Sequence, residues 1–284
     1  LKNLDEYAEA FGWNEWPVPQ LNQNRVAEDG TRGSGALYAM GLNYSLTGIF
    51  YNKELAAQIG MTEPPATLAE FEDLLAKAKE AGLLPIMQWG SAKSGMGLAF
   101  PLQAIMASVG PVEPINDWIF QKPGATIDTP SNLIAAQHLE QWIQNGYFPP
   151  DINAIEYTDA NARFGKGEGV FIFNGDWQNA GYDTDLPGNV GFFLMPPAEE
   201  GGSPAAMSAP LTFGIAANAK NADCAAFFFN WVASNDVARQ INVAIGGSNP
   251  GGPSGLVMPE VPEGSVTNET LAAGVVVGEA GTSM

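Results

Sequence analysis

The chain has 284 residues, of which 45% are hydrophobic and 15% are charged, and its 31 acidic and 12 basic residues give a formal net charge of -19. This length and composition indicate a globular protein with an ample core and more than one lobe. Because the negative charge repels phosphate backbones and anionic lipid, nucleic-acid binding is not expected.

The first half of the chain predicts alternating helices and strands. Its opening sequence, LKNLDEYAEAFGW, has neither an initiating Met nor a signal-peptide pattern, which indicates a processed or truncated start. A strand ending in YNK and a short helix closed by Gly60 precede TLAEFEDLLAKAKEAG, which predicts a long helix. Thr67 and Glu70 form a capping box at its start, and Gly82 is its stop. The next segment, LLPIMQW, predicts a short buried strand.

The second half repeats this alternation. In TPSNLIAAQHLEQWIQNG, Thr129 is the expected cap, Pro130 the first helical residue and Gly146 the stop. The apolar runs GVFIF, NVGFFL and LTFGIAA predict strands separated by turns, and NADCAAFFFNWVASNDVARQINVAIG predicts two consecutive helices. Such alternation favours an α/β sandwich with mostly parallel strands.

The chain contains one histidine and one cysteine. His138 lies within a predicted helix and is expected at the surface or at its boundary, whereas Cys224 lies in an apolar helical run and is expected to be a buried, unreactive thiol. Zinc sites, Cys/His nucleophile pairs and Ser-His-Asp triads would all depend on these two residues. We therefore expect neither a metal nor a cofactor.

Three aromatic residues stand at the ends of predicted strands. Tyr44 precedes the IFYNK strand, Trp89 ends PIMQW, and Trp177 follows Asp176 at the end of FIFNGDW. Each ring alone fits core packing as well as ligand contact. Together they favour a ligand site, because open α/β sheets bind ligands at such a rim and aromatic faces stack on pyranose rings.

Acidic residues suggest two other kinds of site. The turn DTDLPGN, residues 183–189, resembles a calcium loop, but Pro187 stands where a ligand is needed and no glutamate follows at the required distance. A solvated turn is the simpler interpretation. Asp176 and Glu156 are candidates for the carboxylate pair of a glycosidase, an interpretation that depends on their separation in space.

Three long segments follow one another in a characteristic order, which is GIFYNKELAAQIGMTEPPATLAEFEDLLAKAKEAGLLPI, then ARFGKGEGVFIFNGDW, then LTFGIAANAKNADCAAFFFNWVAS. They resemble the extracellular sugar-binding proteins of bacterial ABC importers, the family that includes maltose-binding protein. The resemblance implies an α/β, two-lobed, periplasmic-binding-protein-like (type II) fold that closes about a hinge. Members of that family carry further sequence before the part that matches LKNLDEYAEAFGW, so the first lobe is expected to be incomplete and the chain to be a fragment.

The resemblance also implies lobe boundaries and hinge segments. Residues 1–44 and 212–247 are expected in the first lobe, and residues 45–211 and 248–284 in the second. Three crossing segments are expected near residues 43–46, 208–213 and 247–250.

By position, the resemblance assigns roles to individual residues. Trp177 matches the family's stacking tryptophan, Ser45 matches a polar position on the first crossing, and Phe213 is a contact position on the second. The complete set of expected ligand-binding residues is Asn43, Tyr44, Ser45, Trp89, Asp176, Trp177, Phe213 and Asn249.

The function implied by the resemblance is non-catalytic binding of a mono- or oligosaccharide and its delivery to the permease subunits of an ABC importer. The protein is then expected to be a monomer in the periplasm or on the outer face of the cell membrane, with a lipid anchor. Two alternatives remain open at this stage. One is a glycoside-acting enzyme that uses Asp176 and Glu156, and the other is a binding protein for a non-sugar solute such as a polyamine, which the acidic charge would suit.

Overall fold

The computed structural model describes residues 1–93, 95–253 and 256–280. Its α-helices are α1 (Asp5–Phe11), α2 (Val18–Asn22), α3 (Lys53–Gln58), α4 (Leu68–Glu80), α5 (Ala99–Val109), α6 (Glu113–Ile119), α7 (Pro130–Gln144), α8 (Tyr157–Phe164), α9 (Asn179–Asp185), α10 (Ala222–Ser234), α11 (Asp236–Gly246) and α12 (Val266–Ala280). Its strands are β1 (Arg25–Val26), β2 (Ala36–Leu37), β3 (Met40–Asn52), β4 (Phe171–Gly175), β5 (Val190–Phe193), β6 (Ser208–Phe213) and β7 (Asn249–Pro250). Short 3-10 turns span Trp13–Glu15, Ile152–Ala154 and Asp176–Gln178.

The two strongest helix predictions, α4 and α7, are confirmed with their caps. The Thr67 hydroxyl accepts a hydrogen bond from the Glu70 amide at 3.2 Å, and the Glu70 carboxylate accepts from the Ala66 amide at 2.7 Å. At α7, the Thr129 hydroxyl accepts from the Asn132 amide at 3.2 Å. Both helices are followed by a glycine with positive φ, which provides the left-handed turn that ends a helix.

The 13-residue strand β3 organises the sheet. Its C-terminal half pairs with β4 and β5, and its N-terminal half pairs with β6 and β7. All four pairings are antiparallel, so the expectation of mostly parallel strands is wrong for these strands. Strand β3 runs along the whole sheet in one direction, and β4, β5, β6 and β7 each run beside it in the opposite direction.

The segment LLPIMQW forms a single parallel bridge, between Ile86 and Phe171, rather than the expected strand. Pairing stops after Met87 because the Gln88 side chain replaces the backbone ladder. Its amide oxygen accepts from the Phe173 amide and its amide nitrogen donates to the Phe173 carbonyl, both at 3.2 Å.

Most buried apolar side chains in the described part of the chain fall into three clusters. Successive residues of β3 point to opposite faces of the sheet, so Ile49 packs with Phe71 of α4 in one cluster and Phe50 packs with Tyr182 of α9 in a second. A third cluster contains residues of α1, the start of β3 and α10, including Phe229. The helix predicted from FFFNWV therefore packs in a different cluster from α4.

The single cysteine and histidine lie in different surroundings. Cys224 is exposed, so the expectation of a buried thiol is wrong. It lies on α10 away from the face formed by Ala226 and Phe229, which is the face that the described residues cover. His138 is half-buried at the boundary, as expected, and its Nδ1 lies 2.7 Å from a carboxylate oxygen of Glu72.

The described residues contain no helix that is both long enough and apolar enough to cross a membrane. Within the same residues, no group of three or more His, Cys, Asp or Glu side chains is arranged to hold a metal ion.

We expect Phe71→Ala to lower the free energy of unfolding by about 3–5 kcal/mol, because it removes a fully buried ring. The Phe71 ring centroid lies 5.8 Å from that of Trp142 and 5.1 Å from that of Phe171. Urea unfolding measures the change. Glu80→Ala, at an exposed position of the same helix, should change stability by less than about 0.5 kcal/mol. A loss below about 1 kcal/mol for Phe71→Ala would contradict this account of the core.

Candidate functional site

The three predicted crossing segments lie side by side. Tyr44 of β3 is paired with Pro210 of β6 and with Asn249 of β7. The Ser45 hydroxyl donates to the Ala209 carbonyl at 3.0 Å, which reinforces the pairing of the first two segments. Backbone pairing thus brings segments that are far apart in sequence into one junction, which we call the crossing junction.

Trp177 lies beside this junction, on the 3-10 turn that follows β4, and 38% of its surface is exposed. The ring folds back over Gly175, where any Cβ would collide with it. The indole N–H donates to the Tyr157 hydroxyl at 2.6 Å. Gly175 before the turn and the Tyr157 hydroxyl therefore hold the Trp177 ring in one position, where it remains partly exposed to solvent.

Tyr157, the first residue of α8, connects several aromatic residues around Trp177. Its hydroxyl also accepts from the Gln178 side-chain amide at 2.6 Å, and its ring meets Trp89 edge-on at a centroid distance of 4.8 Å. The Phe100 centroid lies 6.2 Å from that of Trp177. Tyr157, Gln178 and Phe100 were not predicted from the sequence. A survey of every aromatic residue at the start of a helix would have found Tyr157, but only the fold places it against Trp177.

The expectation that Trp89 displays its ring at the rim is wrong for this structure, because only 2% of the residue is exposed. Its ring packs against Tyr157 and Phe100, and its N–H donates to the Gly95 carbonyl at 3.0 Å. Trp89 therefore packs against the Tyr157 ring inside the protein, and its own ring is not accessible to a solute.

Asp176 also departs from expectation, because it is fully buried rather than turned toward a ligand. Its Oδ2 accepts from the backbone amide and the side-chain amide of Asn249, each at 3.2 Å. Burial raises the pKa of the Asp176 carboxyl to about 7, although hydrogen bonds from Leu46, Asn249 and Ser248 favour the charged form. Oδ1 has no hydrogen-bond partner of good geometry among the described residues.

The other expected residues lie at or near the crossing junction, with one exception. Asn43 is buried and paired with Pro250, and the Tyr44 hydroxyl is buried without a hydrogen-bond partner in the described part of the chain. Burial raises the pKa of that hydroxyl far above its ordinary value. Phe213 is not brought to this group. It is paired with Met40 at the far end of β6, and its exposed ring lies 6.2 Å from that of Phe229.

The arrangement suits binding better than catalysis. Trp177 offers a partly exposed apolar face that is held in place by the Tyr157 hydroxyl. The carboxyl of Asp176, which hydrogen-bonds to the junction, is shielded from any solute by burial. The turn at residues 183–189, which resembles a calcium loop, has another role. The Asp183 carboxylate accepts a hydrogen bond from the Val266 amide at 2.8 Å and so caps the start of α12.

Comparison with known sequences identifies the class of protein. The sequence profile named "Bacterial extracellular solute-binding protein" matches residues 1–239. The chain therefore belongs to the bacterial extracellular solute-binding protein family. None of the curated proteins matches it by sequence.

Solved structures show the same fold. A chitin oligosaccharide binding protein superposes with a TM-score of 0.76 at 21% identity, covering 97% of this chain and 67% of its own. Maltose-bound MalE3 of T. maritima gives 0.72 at 20% identity, with 99% and 68% covered. RafE in complex with raffinose gives 0.64 at 21% identity, with 94% and 69% covered. The predicted two-lobed periplasmic-binding-protein-like fold is confirmed, and the chain spans about two thirds of the length of these chains.

We expect Tyr157→Phe to release the Trp177 ring, because the indole N–H and the Gln178 amide lose their shared acceptor. The indole N–H resonance of Trp177, assigned with Trp177→Phe, should shift and exchange faster with water. Stability should fall by about 1 kcal/mol, the usual net contribution of a hydrogen bond. Tyr51→Phe, at the other end of β3, should leave that resonance unchanged. An unchanged resonance in Tyr157→Phe would show that the hydroxyl does not hold the ring.

Proposed function

We propose that the chain binds a carbohydrate without catalysis, as the solute-binding subunit of an ABC importer, and that Trp177 stacks on a sugar ring. The observation that carries this proposal is a tryptophan that is fixed by Tyr157 and Gly175 and yet 38% exposed beside the crossing junction. An immobilised aromatic face suits the C–H face of a pyranose. The ligands named for the similar structures, which are chitin oligosaccharide, maltose and raffinose, support the same solute class.

We also propose that residues 1–44 and 212–247 form one lobe and that residues 45–211 and 248–284 form the other, with the crossing junction as the hinge between them. Support comes from the separate clusters that hold Phe229 and Phe71. Strands β3, β6 and β7 are the connections at which such lobes would rotate. A few residues that absorb the change in backbone angles are enough for hinge closure.

Further protein is proposed to complete the first lobe. Helices α10 and α11 and the end of β6 expose large apolar side chains, which are Leu211, Phe213, Phe227, Phe228, Trp231, Val237, Ile241 and Ile245. Exposed apolar side chains concentrated on neighbouring elements are typical of a surface that contacts further protein.

The glycoside-acting alternative is disfavoured by the positions of its two carboxylates. Asp176 is fully buried, and Glu156 lies in a partly exposed ion pair, 3.7 Å from the Lys93 ammonium. A glycosidase needs both groups to flank the bond that is cleaved. Burial of Asp176 also weakens the polyamine alternative, because a cationic solute requires an ionised carboxylate that it can reach.

The proposed partners are a carbohydrate and the membrane permease. The proposed location is outside the cytoplasm, either in the periplasm or attached by a lipid anchor to the outer face of the cell membrane. A thermal-shift screen over mono- and oligosaccharides, with polyamines in parallel, tests the solute class, since a ligand that binds only the folded protein raises the melting temperature. A shift with polyamines alone, or turnover of a glycoside by the pure protein, would reject the proposal.

We expect Trp177→Ala to weaken binding of the best sugar by roughly 2 kcal/mol or more, the loss typical of an anchor residue. Its effect on stability without sugar should be well below the ~3–5 kcal/mol of a core tryptophan, because the ring is partly exposed. Titration calorimetry and urea unfolding measure the two effects. Trp118→Ala removes a comparably exposed tryptophan of α6, 46% exposed, and should leave affinity unchanged. Strong destabilisation of Trp177→Ala with unchanged affinity would make Trp177 a core residue.

A further inference from the structure

A group of buried polar side chains surrounds the third crossing segment. Besides Asp176, it includes Asn179 at the start of α9 and Thr270 of α12, which are both fully buried. The Asn179 side-chain amide donates to the Gly247 carbonyl at 2.9 Å and to the Thr270 hydroxyl at 2.7 Å. Asp176 and Asn179, which lie before and after Trp177 in the chain, therefore hold the segment that leads from α11 into β7.

Close packing leaves little freedom at this point. Gly247 has a positive φ of 69°, and a Cβ there would lie 2.9 Å from Asn179 Cβ and 3.1 Å from the Asp176 carbonyl oxygen. The turn that carries Trp177 thus contacts the third crossing segment through its backbone as well as through its side chains. Movement of one element would have to break the contacts of the other.

We propose that Asp176 is a positioning residue, whose buried carboxyl clasps the third crossing segment to the turn that carries Trp177 and thereby makes the placement of that ring sensitive to protonation. The role in solute binding rests on the proposed function, whereas the clasp itself does not. Asp176 acts through Trp177 and touches no solute.

Among the described residues, the carboxyl has no charged hydrogen-bond partner. It faces the Leu46 amide of β3 and the Ser248 and Asn249 groups of the third crossing, which are all uncharged. On β3, the Tyr44 hydroxyl stays neutral because burial raises its pKa. On the adjacent helices, Asp183 of α9 caps α12, and Arg239 of α11 donates to the carbonyls of Ala233 and Gly251.

The sign of the pH effect follows from linkage. Burial raises the pKa of Asp176 to about 7 in the clasped arrangement, whereas a carboxyl exposed to water titrates at its ordinary value of 3.8. Between these two values the open arrangement is ionised and the clasped one is protonated, so opening releases one proton. The clasp is therefore firmest below about pH 4, weakens by about tenfold per pH unit up to about 7, and is constant above that.

Hydrogen exchange of the Asn249 amide, which donates to Asp176, measures the clasp without any sugar. After correction for intrinsic exchange, we expect its protection factor to fall by about tenfold per pH unit between about pH 5 and 7 and then to level off. Asp176→Asn keeps a neutral acceptor for Asn249 and should give a profile that does not change with pH. Asp159→Asn, at an exposed carboxylate of α8, should keep the wild-type profile.

Two results would overturn the clasp. One is an Asn249 protection factor that is independent of pH in the wild type. The other is a factor equal to that of core amides in α4 at every pH, which would mean that only global unfolding frees Asp176. Should Asp176→Asn fail to fold, the carboxyl carbon resonance of Asp176 in the wild type decides: a midpoint near 7 supports the clasp, and one near 4 rejects it.

Sugar titrations then test the positioning role. With a sugar from the thermal-shift screen, wild-type affinity should be several-fold weaker at pH 7 than at pH 5, and affinity of Asp176→Asn should be constant over that range. A pH-dependent clasp with pH-independent affinity in both proteins would show that Asp176 does not position Trp177. If no sugar binds, the proposed function fails while the exchange experiment still decides the clasp.

Discussion

Strand β3 pairs with other strands along both halves of its length, and this pairing fixes the positions of the remaining elements. At about 3.3 Å per residue, its 13 residues extend for roughly 40 Å, enough to leave one cluster of buried residues and enter another. Its C-terminal half is covered by β4 and β5, and its N-terminal half by β6 and β7. A shift of one residue in this register would move Ile49 and Phe50 to the wrong faces and separate the crossing segments.

This register also determines where Trp177 lies. The pairing of Thr47 with Gly175 brings the end of β4 to the level of the first crossing, so the turn that follows must lie beside β6 and β7. Asp176 then points inward and Trp177 outward from the same short turn. Burial of the Asp176 carboxyl costs desolvation energy, whereas the Trp177 ring next to it remains partly exposed to solvent. Both features follow from the position at which the strand ends.

Several parts of the fold were predictable because the interactions that produce them are local. Thr67 and Thr129 cap their helices through residues three positions further along the chain. The apolar runs GVFIF and NVGFFL overlap β4 and β5, and two consecutive helices follow β6 as expected. The run LTFGIAA was only partly predicted correctly, because β6 ends at Phe213. The direction of strand pairing was mispredicted, since it depends on how one long strand meets partners more than a hundred residues away. The interrupted pairing after Met87 depends in the same way on a contact between Gln88 and Phe173.

The family and the main helices and strands could be predicted from the sequence, because local periodicity, caps and motif order encode them. What each candidate side chain faces is set instead by tertiary contacts. Trp89 and Trp177 both follow apolar runs, yet Trp89 is buried under Tyr157 and Phe100 while Trp177 is partly exposed. Asp176 is buried although it was expected to face a ligand, and Cys224 is exposed although it was expected to be buried. Burial depends on long-range packing around each residue and not on the apolar character of its neighbours in sequence.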